Sequence, residues 1–216
     1  MQWGNISGVL LWAALAATAQ SAVITSWDFE DDPVSFTGQV FSGSQTAVGT
    51  GTFGDRHAST STSWAIFKTD GGNTDFRANN WSEGDYFEFV TDTAGFENLS
   101  FSFNLLQVGL PPMTFSVLYG LPGTKLQPAK GSVIPDLTSF GDPTVIEIDN
   151  PLLQGKELTV LIVANGDAAS ALDSVRIDNV QMLGDAVAAS VPEPSAILPS
   201  VLLAGAIWVR KRRQAS

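Results

Sequence analysis

The sequence predicts an all-β domain, built as an antiparallel two-sheet β-sandwich with jelly-roll connections. Only 15% of the 216 residues are charged, while 10% are aromatic and 20 are glycine, a balance that favours strands and turns over helices. Short runs of alternating apolar and polar residues recur along the chain between turn signals. No helical periodicity separates these runs, which is typical of antiparallel sandwiches.

Each expected strand rests on its own pattern. Phe101, Phe103 and Leu105 alternate with Ser102 and Asn104, which predicts a strand with one buried face. Residues 160–163 are apolar at every position and predict a strand near the centre of the sandwich. The full set of expected strands is 22–27, 63–68, 85–91, 98–106, 113–119, 144–149, 157–164 and 175–183.

Two polar stretches are expected to be loops. Residues 39–63 are rich in glycine, serine and threonine and predict long loops or irregular edge strands, with His57 on the surface. Residues 69–82 form a second open stretch that places Trp81 in a polar setting. Loops at one end of a sandwich are where ligand contacts usually lie.

Charge and cysteine content exclude some classes of function. The formal net charge is −11, and the four bases Arg210, Lys211, Arg212 and Arg213 lie together near the C-terminus, so the rest of the chain is still more acidic. Such a surface repels nucleic acid and suits divalent cations or neutral sugars. The chain has no cysteine, which excludes disulfides and thiol chemistry.

The N-terminus has the pattern of an export signal. Residues 8–17 form an uninterrupted apolar run, and Ala17, Thr18 and Ala19 then supply a small-residue cleavage site. This length fits the helical core of a signal peptide and is short for a membrane span. We expect residues 1–19 to be a signal peptide removed by signal peptidase, followed by a β-sandwich domain at 20–184 and a linker at 185–191.

The C-terminus has the pattern of a membrane anchor. Residues 195–209 are apolar and predict a short hydrophobic helix, and the basic cluster 210–213 follows it. Basic residues stay on the cytoplasmic side of a membrane, so this cluster acts as a topology signal that leaves the acidic domain outside. We expect residues 192–216 to hold the chain in the inner membrane.

The motif Pro192-Glu193-Pro194, the apolar span and the basic tail together resemble the PEP-CTERM sorting signal. The resemblance covers about the last 26 residues. It implies that an exosortase recognises the three-residue motif and removes the tail in a bacterium with an outer membrane, leaving the domain at the cell surface or in the extracellular matrix. It also implies an association with exopolysaccharide and biofilm. The alternative is a permanent single-pass anchor.

The body of the chain has a second resemblance. The segments VITSWDF at 23–29, LSFSF at 99–103 and VRIDNV at 175–180 are similar to those of exported sandwich domains, and the last is similar to the closing strand of jelly-roll carbohydrate-binding modules. That resemblance implies a structural calcium held by Asp178 with Glu30 and Asp32. The alternation also slips between Ile177 and Val180, which predicts a β-bulge at Asp178. The alternative is a strand-end turn and a solvated acidic loop.

The sequence favours a binding or structural function over catalysis. His57 is the only histidine. Glu147 and Asp149 have the spacing of a glycosidase pair, but residues 150–153 supply no further acid, so we expect no enzyme. Trp81, Asn80 and Tyr86 are candidate contacts for an extracellular polysaccharide, because sugar rings stack on aromatic faces. Trp27 and Trp64 are expected in the core. The other hypothesis is a matrix protein without a small ligand.

Overall fold

The fold is all-β. The computed structural model describes residues 21–30, 35–37, 40–41, 49–68 and 74–187. Within these ranges the chain forms thirteen strands and no helix. The strands are β1 (Ala22–Trp27), β2 (Ser35–Thr37), β3 (Val40–Phe41), β4 (Gly51–Arg56), β5 (Ser63–Lys68), β6 (Thr74–Asn79), β7 (Tyr86–Asp92), β8 (Phe96–Val108), β9 (Phe115–Gly120), β10 (Gln127–Pro128), β11 (Thr144–Glu147), β12 (Glu157–Ala164) and β13 (Ser174–Ala186).

The strands form two antiparallel sheets. The seven-stranded sheet has the order β11-β8-β13-β6-β5-β2, and β1 pairs with the far half of β13. The six-stranded sheet has the order β10-β9-β12-β7-β4-β3. The prediction of an antiparallel two-sheet sandwich is therefore confirmed. β12, which contains the apolar run at 160–163, is a central strand as predicted, although its outward residues Leu161 and Val163 are only half-buried.

The core lies between the two sheets and is rich in aromatic rings. Trp27 on β1 packs edge-on against Phe89 on β7, with ring centroids 5.2 Å apart. Phe53 on β4 meets Phe76 on β6 at 4.8 Å in the same manner. Edge-to-face pairs of this kind add roughly 1 kcal/mol each beyond the burial of their area. Trp27 and Trp64 are buried, as the sequence predicts.

β13 contains the predicted bulge. Its pairing with β8 shifts register between Asp178 and Gln181, and Asn179 has a positive φ of 50°. On its other edge, β13 pairs with β6 up to Ile177 and with β1 from Val180 onward. The bulge thus lies where the partner of β13 changes from one strand to another, and it re-aims the chain at that point.

Three strands lie in the stretches where the sequence predicts loops or irregular edge strands. They are β3 and β4 within residues 39–63 and β6 within residues 69–82, and the polar and glycine-rich residues of β4 and β6 hide the alternation. Gly51 on β4 is required by packing, since a Cβ there would lie 2.7 Å from the Trp27 ring. The strand is therefore specified by its fit against β1 more than by its own propensity.

The expected terminal segments lie outside the described residues. The signal helix at 1–19 and the hydrophobic helix at 195–209 both fall there, as do the sorting motif and the basic cluster. Within the described ranges, no helix is long and apolar enough to cross a membrane. Strand β13 continues to Ala186, two residues past the expected domain end at 184.

Candidate functional site

The outer face of the six-stranded sheet is the first candidate site. Along β7, Phe87 and Phe89 point into the core, while Tyr86, Glu88 and Val90 alternate with them and are half-exposed. This alternation follows from the two-residue period of a strand. Tyr86 therefore presents part of its side chain on the outer face.

Neighbouring strands extend this face into rows. The register places Arg56 of β4 and Val163 of β12 on either side of Tyr86. The next two rows along the sheet are Gly54, Glu88 and Leu161, and then Thr52, Val90 and Thr159. Because Gly54 has no side chain, the surface beside Glu88 is recessed.

A groove of about 330 Å³ lies at the far end of this face. It is lined by Thr50, Gly51, Thr52, Val90, Thr91, Asp92 and Glu157. Tyr86 and Val90 are four residues apart on one strand, which corresponds to roughly 14 Å at about 3.4 Å per residue. The Tyr86 ring thus lies at one end of an extended surface and the groove at the other. Its charged side chains are the carboxylates of Glu88, Asp92 and Glu157 and the guanidinium of Arg56.

A buried ionisable cluster lies behind this surface. His57 is 1% exposed, and its Nε2 lies 3.2 Å from Oδ1 of Asp55 while its Nδ1 lies 3.2 Å from Oδ2 of Asp85. The expectation of a surface histidine is wrong. Phe53 and Asp55 of β4 face inward, and the same alternation continues past the end of the strand to His57. The imidazole ring of His57 packs against Trp64 and Trp81.

Burial determines the protonation of this cluster. It lowers the pKa of His57 to about 4, opposed by a hydrogen bond with the Asn80 backbone. Burial also raises the pKa of Asp55 well above its usual range, opposed by the backbone of Arg56 and reinforced by the charge of Asp85. The pKa of Asp85 is raised by burial too, although its carboxylate accepts hydrogen bonds from the backbone N–H groups of Ser82 and Ala58. Burial therefore disfavours the charged forms of both His57 and Asp55.

Trp81 does not form an exposed sugar platform. It is 2% exposed, packs against Phe87, Phe115 and His57, and donates its indole N–H to the Ala78 carbonyl. The polar neighbours of Trp81 in sequence concealed this inward orientation. Asn80, with a φ of 57°, is partly exposed and donates its amide to the hydroxyls of Ser59 and Ser61.

The candidate calcium ligands are only partly described. Asp178 is 1% exposed and accepts hydrogen bonds from the backbone and side-chain N–H groups of Asn179. Glu30 accepts one from the Thr74 N–H, and Asp32 lies outside the described residues. Among the described residues, no group of three or more acidic or histidine side chains could hold a metal ion. The calcium site stays a prediction.

Sequence reasoning found Tyr86 but missed Arg56 and Glu88. Glu88 occupies an outward position of a strand that the sequence does predict, so the alternation of β7 was a usable signal. Arg56 follows from the register of β4, a strand that the sequence does not reveal. The pairing across strands is what brings these three side chains together.

Comparisons with known proteins give low similarities. No family model matches the chain, and no curated protein matches it. Among solved structures, the CBM22-1 xylan-binding domain of Paenibacillus barcinonensis Xyn10C aligns with a TM-score of 0.47 at 11% identity, covering 81% of this chain and 100% of that one. The mannan-binding module TmCBM27 aligns with a TM-score of 0.42 at 16% identity, covering 77% and 99%. Because both TM-scores are below 0.5, we assign the site from the geometry of this chain alone.

Proposed function

We propose that this protein is an exported, non-catalytic domain that binds an extracellular polysaccharide on the outer face of its six-stranded sheet. The observation that carries the proposal is the row of Arg56, Tyr86 and Val163, which places an aromatic ring between a cation and an aliphatic side chain on a half-exposed surface.

The chemistry of this surface suits a sugar chain. The C–H faces of a pyranose pack on an aromatic ring, and the hydroxyl groups need polar partners close by. Tyr86 supplies the ring, Arg56 supplies N–H donors and Glu88 supplies carboxylate acceptors. The distance from Tyr86 to the groove at Val90 allows a chain of several sugar units to lie along β7.

The charges favour a neutral polysaccharide. Glu88, Asp92 and Glu157 outnumber the single cation Arg56 among the charged side chains named above, and the whole chain carries a net charge of −11. An anionic polymer such as polygalacturonate would place its carboxylates close to these acidic side chains, and the like charges would repel each other. Neutral chains such as xylan, mannan or a glucan do not meet this barrier.

The buried histidine supports a non-catalytic function. Both ring nitrogens of His57 lie 3.2 Å from carboxylate oxygens, and the residue is 1% exposed. A general base must reach a proton on its substrate, and His57 offers no accessible nitrogen for this purpose. We therefore infer that His57 positions the residues around it.

The test is retention of the full-length chain on insoluble xylan, mannan and glucan, with polygalacturonate as the anionic comparison. We expect retention on at least one neutral polymer, loss of most of it in Tyr86→Ala, and near-normal retention in Tyr86→Phe, which keeps the ring. Val145→Ala, on the exposed surface of β11 in the other sheet, is the control and should behave as the parent does. Equal retention by Tyr86→Ala and the parent chain would contradict the proposal.

The export route rests on the two terminal segments. We infer that signal peptidase removes residues 1–19 and that an exosortase acts at Pro192-Glu193-Pro194, releasing the domain from the inner membrane to an exopolysaccharide matrix. Mass spectrometry of the mature protein from its host should find a C-terminus near Pro194. Surface material that keeps the tail at 210–213 would instead indicate a permanent anchor.

A further inference from the structure

We propose that the Asp55–His57–Asp85 cluster is a proton-holding positioning element for Arg56 and Tyr86, and that polysaccharide binding weakens when the cluster loses its proton. The inference rests on the proposed binding function, but the state of the cluster is measurable without any ligand. Neither the terminal segments nor the sugar chemistry of the outer face accounts for three buried ionisable groups at this place.

The contacts of His57 require two protons. Its Nδ1 faces Asp85 and its Nε2 faces Asp55, each at 3.2 Å, although the angles fall short of good hydrogen bonds. A bare ring nitrogen at that distance from an ionised carboxylate is repulsive, so each contact needs a proton between its two atoms. One proton resides on Nδ1 and the second on Asp55, because burial disfavours a charged imidazolium. When the second leaves to water, Asp55 and the lone pair of Nε2 face each other in a buried site.

The cluster joins the segments that display the surface residues. Asp85 accepts hydrogen bonds from the N–H groups of Ala58 and Ser82, both at 2.7 Å, and so ties the end of β4 to the loop before β7. Arg56 lies between Asp55 and His57, and Tyr86 directly follows Asp85. Arg56 and Tyr86 also pair in register. A shift of the buried side chains therefore moves both outward side chains.

The side chains packed against the cluster do not titrate, so the proton that the cluster holds is the charge that changes with pH. β5 and the loop after β6 contribute Trp64, Trp81 and the backbone of Asn80, which carry no titratable group. Beyond Asp85, the exposed Asp167 accepts a hydrogen bond from the Glu83 N–H, and its charge raises the pKa of Asp85. Arg56, on the same strand, is exposed on the opposite face.

The direct test uses the imidazole signals of His57, which is the only histidine of the chain. We propose to record ¹⁵N spectra of the full-length protein in detergent from about pH 5 to about pH 8, the range in which an ordinary histidine titrates. The expected result is a neutral ring with no transition near pH 6.5. A transition with the ordinary midpoint would overturn the proposal, whatever the protein binds.

The coupling is tested by retention on the neutral polymer as the pH rises. Retention should weaken by up to about tenfold per pH unit once Asp55 ionises, because only the protonated fraction is competent. In Asp55→Asn the amide N–H replaces the removable proton, so affinity should be unchanged over the same range. Retention by the parent chain that does not vary with pH, but is lost in Tyr86→Ala, would overturn the coupling and leave the binding function intact. No retention at any pH would overturn both, and the spectra would then report the cluster alone.

Discussion

Two of the buried acidic sites among the described residues are neutralised in different ways. Asp75 on β6 is 1% exposed and receives two N–H groups of Arg176 on β13, with Nε at 2.8 Å from Oδ1 and Nη2 on Oδ2. Asp55 on β4 is 3% exposed and faces the imidazole of His57. Both sites lie on strands that pair with a neighbour on each side, yet only the first pairs a carboxylate with a permanent cation.

The difference determines how each site responds to its surroundings. A guanidinium keeps its charge at every pH at which proteins fold, so the Asp75 site has a fixed charge balance. The Asp55 site depends on a proton that can leave, and no described cation replaces it within the cluster. The first arrangement therefore acts as a fixed link between β6 and β13, and the second makes the end of β4 sensitive to pH.

The largest expected effect comes from removing the fixed partner. Arg176→Met leaves Asp75 buried without its bidentate donor, and loss of one member of a buried pair costs about 3–5 kcal/mol. Urea denaturation of the full-length chain, followed by tryptophan fluorescence, should show a marked fall in the unfolding midpoint. The double variant Asp75→Asn/Arg176→Met removes both charges and should recover a large part of the loss. A single variant as stable as the parent chain would contradict the assigned importance of the pair.

A smaller effect is expected from the ionisable groups of the cluster, and its sign differs between His57 and Asp55. The pKa of His57 is depressed from 6.5 to about 4, so its contribution to stability is lost as the pH falls through that interval. The pKa of Asp55 is raised from 3.8, so its contribution is lost as the pH rises through the folded value. The two contributions therefore change in opposite directions as the pH rises. Each has a slope of at most about 1.4 kcal/mol per pH unit where its group titrates.

Asp55→Asn should remove one of these two contributions. The contribution of His57 is then no longer opposed by Asp55, so the free energy of unfolding of the variant should rise more steeply with pH than that of the parent chain between about pH 4 and pH 6.5. The contributions of Asp85 and of the exposed groups are shared by both proteins. Urea denaturation at a series of pH values measures both profiles. Parallel profiles would show that the cluster holds no removable proton.

Much of the fold is predictable from alternation. Strands β1, β5 and β12 match the expected ranges residue for residue, because their alternating or continuous apolar runs are bounded by turn signals. The bulge in β13 is also predictable, since it shifts the parity of the apolar residues after Ile177. Strands such as β4 escape prediction because they are specified by contacts with distant segments, as the fit of Gly51 against Trp27 shows.

The site is less predictable for the same physical reason. An aspartate and a histidine facing inward look like loop residues when their neighbours are glycine and arginine, and nothing local reveals that Asp85 completes the cluster 28 residues later. The prediction for Trp81 fails in the same way, since its polar neighbours in sequence suggested exposure while packing against Phe87 and Phe115 buries it. Local sequence reports alternation, whereas the site depends on register between strands.

The smallest effect is expected at an ion pair outside the core. Lys130 and Asp149 approach to 4.0 Å, but their side chains are 98% and 73% exposed. Water and salt screen such a pair, and the entropy of fixing two mobile side chains opposes the attraction. Lys130→Ala should therefore leave the urea midpoint within measurement error at any salt concentration, in contrast to Arg176→Met. A clear loss of stability in Lys130→Ala that disappears in high salt would show that an exposed ion pair also stabilises this sandwich, and that burial is not what separates the Asp75 and Asp55 sites from the surface.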